Sequence, residues 1–86
     1  MNNFITIMRK LNPQAAYPAR MEEAIVGIVR SKKPPVFRVS RNKIIKIHMA
    51  EGMSREDAIE FCEYNLERSL PYYGENAPIM CGSYYR

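Results

Sequence analysis

Gly52-Met53-Ser54-Arg55-Glu56-Asp57-Ala58-Ile59-Glu60-Phe61-Cys62-Glu63-Tyr64-Asn65 declares its structure twice, once in backbone chemistry and once in packing. Ser54 supplies a hydroxyl for an orphan N–H at a helix start, and Glu56 and Asp57 fall in the first turn, where the helix dipole favours acids. Ala58, Phe61, Cys62, Asn65 and Leu66 then recur at i, i+3, i+4, i+7 and i+8. This spacing predicts an apolar stripe against a core, with Glu56, Glu60, Glu63 and Glu67 facing water. Asn65 is the one amide on that stripe and is expected to need buried hydrogen-bond partners.

Working back from Gly52, Ser40 caps an earlier helix over residues 41–50, and Gly52 sits where a left-handed residue ends it. The short Gly52-Met53 link turns the chain sharply, so Ile44, Ile47 or His48 should meet Phe61 and Cys62. Before this helix pair, residues 24–30 and 36–39 are apolar and β-branched and read as two strands, with Gly27 marking a bulge or a close approach. The turn between them, Ser31-Lys32-Lys33-Pro34-Pro35, is short enough to make a hairpin. After the helices, Leu70-Pro71 stops the chain, residues 72–76 turn, and Ala77-Pro78-Ile79-Met80-Cys81 reads as a third strand. The expected fold is α+β: a small antiparallel sheet, hairpin plus C-terminal strand, covered by a two-helix hairpin in the order ββααβ.

Residues 1–20 are expected to be an N-terminal arm that docks on a core of residues 21–82, with residues 83–86 a tail. Phe4, Ile7, Met8 and Leu11 fit a helix, yet Ile5-Thr6-Ile7 is strand-like, and both readings stay open. Eighty-six residues make a single domain with one modest core. No apolar run approaches the roughly 18 residues of a membrane span, and the start lacks the pattern of a secretory leader, so no membrane association is expected. Cys62 and Cys81 read as reduced, small apolar residues, with a disulfide the alternative.

Charge is unevenly divided. Residues 1–50 hold ten of the thirteen Lys and Arg against Glu22 and Glu23, a balance of +8; residues 51–86 hold three against seven acids, a balance of −4. Opposite-sign surfaces steer association with charged partners or with another copy, so self-association is a further expectation. Arg41 and Lys43 stand at a helix start, where the dipole disfavours cations. With Ser40 and the free first-turn N–H groups they would form an anion site, extended along the hairpin by Lys32, Lys33 and Arg38. Asn65, Tyr72 and Tyr73 are secondary contact candidates; most of the tyrosines are expected to pack at the rim of the core.

Catalytic chemistry finds little footing. His48 is the one histidine, and no nucleophile and base stand together in sequence; an enzyme would have to pair His48 with Cys62 across space. His48, Cys62 and Cys81 match no zinc spacing, and the four glycines are too scattered to cradle a phosphate, so neither a metal nor a cofactor is expected.

At residues 24–27 (Ala-Ile-Val-Gly), residues 52–61 (Gly-Met-Ser-Arg-Glu-Asp-Ala-Ile-Glu-Phe), Tyr64-Asn65 and residues 76–79 (Asn-Ala-Pro-Ile), the chain resembles a group of small proteins of tailed bacteriophages and prophages. The resemblance spans roughly residues 20–80 and departs from the group at Arg38 and in the basic first half. It implies an accessory protein of the bacterial host cytoplasm, with no known activity to transfer. The leading expectation is a non-enzymatic protein that binds a host macromolecule, a host protein first, through the basic hairpin and helix start, in host takeover or anti-defence. Nucleic-acid binding by the same surface is the alternative, and the His48–Cys62 enzyme a third.

Overall fold

A computed structural model, describing residues 3–82, gives an α+β fold with a small mixed three-stranded sheet. Helix α1 is Asn3–Leu11, strands β1 and β2 are Ile25–Val29 and Val36–Ser40, and helix α2 is Arg41–Ala50. Helix α3 runs over residues 55–69: an α-helical Arg55–Phe61, a π-helical Cys62–Leu66 and a last α turn, Glu67–Ser69. A 3-10 segment Leu70–Asn76, kinked at Gly74, leads to strand β3, Ile79–Cys81. The tail expected at residues 83–86 lies outside the described residues.

Local chemistry explains the helix ends. Ser40 Oγ accepts from Lys43 N at 3.3 Å and Ser54 Oγ from Asp57 N at 3.1 Å, each satisfying a first-turn donor. At the end of α2, Gly52 adopts φ 108°; its N–H donates to Met49 O at 3.0 Å and that of Met53 to His48 O at 3.1 Å, a Schellman cap. These bonds aim α3 back along α2.

β1 and β2 pair antiparallel with a bulge between Ile25 and Gly27, as the hairpin reading requires. Gly27 is not forced by crowding, because a Cβ there would stand 3.9 Å from Arg38 Cβ, an ordinary contact. The third strand corrects the antiparallel expectation: β3 runs parallel to β2, pairing Arg38 with Ile79, Val39 with Met80 and Ser40 with Cys81. Parallel pairing needs a long crossover, and α2, α3 and the 3-10 segment supply it.

Asn12 sets where that crossover ends. Its amide donates to Pro35 O and to Asn76 Oδ1, both at 2.9 Å, and its own Oδ1 accepts from Gln14 N at 3.2 Å. Ala16 N adds a bond to Asn76 O at 2.9 Å. Asn76 is thereby held beside Pro35, where β2 begins, so the chain can only run alongside β2 in the same direction.

The core gathers Ile25, Phe37 and Val39 from the sheet, Ile44 and Ile45 from α2, and Ala58 and Cys62 from α3. Met8 of α1 belongs to it too, at 2 % exposure, so residues 3–11, open between helix and strand in sequence, are a helix packed into the core. Tyr17 reinforces that attachment edge-on to Phe37, with ring centroids 5.5 Å apart. Among the described residues, no helix is long and apolar enough to cross a membrane.

Candidate functional site

The basic surface expected from sequence is not gathered into one site. Lys32 and Lys33 are exposed at the hairpin tip, where β2 begins, whereas Ser40, Arg41 and Lys43 stand at its far end, roughly 13 Å along the strand. Arg38 lies between them, exposed on the sheet surface beside Gly27 and Ile79. The anion site at the start of α2 is further corrected by Arg41 itself. Its guanidinium donates through Nε and Nη2 to both carboxylate oxygens of Glu67, at 3.2 and 3.0 Å, and through Nη1 to Gly82 O at 3.0 Å. A fork–fork pair of this kind locks α3 and the end of β3 onto α2, which accounts for a cation at an unfavourable helix end. Glu67 therefore does not face open water, and the Ser40 hydroxyl is engaged as a helix cap. Lys43 remains exposed, on a shallow groove shared with Glu23 and Lys46.

A better-formed site lies where the connector before β1 meets α2 and α3. A cleft of about 380 Å³ is lined there by residues 18–21, by His48 and Glu51 at the end of α2, by Phe61, Asn65, Leu66 and Ser69 of α3, and by Tyr73. Two backbone irregularities border it. Arg20 holds φ 67°, unusual for a residue with a side chain, and α3 widens into π geometry over Cys62–Leu66. Such one-turn π segments recur at functional sites.

The π turn also corrects the placement of Asn65. In an α-helix its spacing from Ala58 would carry it back to the core stripe. Bonding from i to i+5 widens the turn, so Asn65 ends exposed at the cleft, whereas Cys62, four residues after Ala58 and at the start of the widened turn, keeps its expected place in the core. Phe61, also expected in the core, is 42 % exposed and forms a wall of the cleft. Tyr73 is half exposed beside it, and Tyr72, at 90 % exposure, packs at no core rim. Tyr64 is exposed and carries the Arg68 guanidinium over its ring at 4.9 Å.

His48 is buried between the helices, edge-on to Phe61 with centroids 4.9 Å apart. Its Nδ1 stands 3.4 Å from Glu51 Oε1 without hydrogen-bond geometry, so this buried atom has no hydrogen-bond partner. Family models, curated proteins and solved structures yield no match to the chain. The cleft's chemistry has to be read from its own residues. Among the described residues no three His, Cys, Asp or Glu side chains converge as a metal site.

Cys62 is fully buried and free, as is the half-buried Cys81. Burial first, then the charges of Glu67 and Glu63, push the Cys62 thiol from 9.0 up to about 11. A thiol held protonated at neutral pH is a poor nucleophile. The same shift has a consequence for stability. Between pH 9 and 11 the folded protein keeps a proton that the unfolded chain has released, so the stability present below pH 9 is lost as pH rises through 11. Urea unfolding at pH 8 and pH 11 should show the wild type losing about 2–3 kcal/mol more than Cys62→Ala.

Sequence reasoning missed Arg20 and Glu51 altogether. Arg20 sat in a proline-bearing connector without periodicity, and no local signal marks a left-handed residue there. Glu51 falls between the end of the predicted helix and its Gly52 stop, and it becomes a cleft residue only through the helix turn that carries it beside His48.

Proposed function

We propose that this protein is a non-enzymatic, phage-type accessory protein that binds a host protein through the face centred on the α2–α3 cleft. The observation that carries this reading is the set of aromatic residues left exposed on this face: Phe61 and Tyr73, which line the cleft, and Tyr64, which lines an adjoining depression on α3, are 42 %, 43 % and 57 % exposed. A chain this small has few large apolar side chains to spare from its core, and aromatic residues around a depression are characteristic of protein-contact hot spots. The phage resemblance of residues 20–80 supplies the setting, and the separation of the basic residues along β2 favours the cleft over the hairpin as the contact surface.

The test is affinity capture from host-cell extract with three baits: wild type, the double variant Phe61→Ala/Tyr73→Ala, and Lys32→Glu/Lys33→Glu. A host protein retained by the wild type should be lost with the cleft variant and kept by the hairpin variant. The opposite pattern would return the function to the basic surface, and recovery of nucleic acid by the wild type alone would make the target a polynucleotide. Both half-exposed aromatics can be truncated with little loss of fold, which circular dichroism checks.

A further inference from the structure

We infer that the partner segment is an extended peptide presenting a bulky apolar side chain two positions from an arginine or lysine, the apolar group entering the cleft and the cation an adjoining acidic depression on α3. This deepens the binding reading above and rests on it. The second depression is lined by Met53, Asp57, Glu60, Phe61, Tyr64 and Asn65, so Phe61 and Asn65 belong to both. Two hollows that share a wall are filled by neighbouring residues of one chain; side chains two apart on an extended peptide are about 7 Å apart.

Each hollow has its own chemistry. The charges lining the first, Arg20 and Glu51, are one of each sign, and its walls are largely Met21, Leu66, Phe61 and Tyr73, which suits an uncharged apolar guest. The second hollow is lined by two acids and no cation: Asp57 and Glu60, three apart on α3 and both exposed. Two aromatic rings, Phe61 and Tyr64, stand with them, and carboxylates combined with ring faces select a guanidinium or ammonium group. The Tyr64 ring already holds one guanidinium, that of Arg68, which does not line this hollow. Phosphates and acidic peptides would meet Asp57 and Glu60 as like charges, so complementarity points to a basic occupant.

Backbone amide shifts of the full-length isotope-labelled protein, titrated with blocked pentapeptides, test this. The probes are Gly-Leu-Gly-Arg-Gly, the same peptide with Glu for Arg, and Gly-Gly-Gly-Arg-Gly. The Leu–Arg peptide should shift Phe61, Tyr64 and Asn65 and bind about fivefold more tightly than the Leu–Glu peptide, a preference that shrinks to about twofold or less in Asp57→Asn/Glu60→Gln. The Gly–Arg peptide should bind more weakly than the Leu–Arg peptide, by about fivefold or more for the lost apolar side chain. Equal or tighter binding of the Leu–Glu peptide at the same amides would overturn the inferred partner chemistry while leaving the cleft as the binding face. Shifts confined to the hairpin or α2 cations would overturn both readings. Shifts at Phe61 and Tyr64 that change on dilution without peptide would show a second copy as the occupant and overturn the inference.

Discussion

Replacing Asn12 with alanine should lower stability by about 2–4 kcal/mol and the melting temperature by roughly 10–25 °C, a large effect for one exposed-looking asparagine in sequence. The reason is that Asn12 is only 8 % exposed and its amide serves three partners at once. Truncation leaves the Pro35 carbonyl and the Asn76 side-chain oxygen facing each other's surroundings with no donor, and each orphaned acceptor in a part-buried site costs on the order of 1–2 kcal/mol. Asn12→Asp separates this account from simple loss of volume. It keeps the shape and can still accept from Gln14 N, but it sets a carboxylate against two oxygens, so it should be at least as damaging as alanine. If Asn12→Asp proves as stable as wild type in urea unfolding, the clamp does not hold the fold. A cycle with Asn76→Ala should return a coupling of about 0.5 kcal/mol or more, because the pair is in direct contact.

Asn12 also shows which features were legible in the chain and which were not. Ser40, Ser54 and Gly52 act on neighbours within a few residues, so the helix starts and the α2 stop could be read from spacing. The hairpin was legible for the same reason, through a short proline-bearing turn between two β-branched runs. The Asn12–Asn76 bond joins residues 64 apart in the chain, and no periodicity announces it. Without it the direction of β3 could not be inferred, and antiparallel was the simpler expectation. Arg41 is an intermediate case. Its position at a helix start was visible as a conflict with the dipole, but the resolution, a forked pair with Glu67, depends on how α3 lies against α2.

The candidate site was less legible than the fold because it depends on departures from regular geometry. The stripe on α3 follows α-helical spacing as far as Cys62, and the π turn changes the phase beyond it, exposing Asn65. Phe61 was assigned to the core by the same count, yet its half-exposed ring is what joins the two hollows. Exposed aromatic residues cannot be told from rim packing by composition alone. The concentration of cations in the first half of the chain was real, but a strand of five residues spreads them from one end of the sheet to the other.

Phe37→Ala should be the most damaging single truncation considered, costing about 3–5 kcal/mol, a large part of what a domain of this size has to lose. Phe37 is among the largest fully buried side chains, at 2 % exposure, and packs with Met8, Ile25 and Ile44 in one cluster. Its loss leaves a cavity in the centre of the sheet and removes the ring against which Tyr17 stands, edge-on at 86°. Tyr17 is followed directly by Pro18, Ala19, Arg20 and Met21, the segment that forms one wall of the cleft. The damage should therefore reach the binding face as well as the core. Phe37→Leu makes the two effects separable: it refills most of the volume, so the stability loss should fall to about 1–2 kcal/mol, but it offers Tyr17 no ring. A folded Phe37→Leu protein should thus bind the Leu–Arg peptide more weakly than wild type, with altered amide shifts at residues 18–21. Wild-type affinity with unchanged shifts there would mean that the connector is seated by its hydrogen bonds to Asn76 alone, and that the cleft wall is independent of the sheet beneath it.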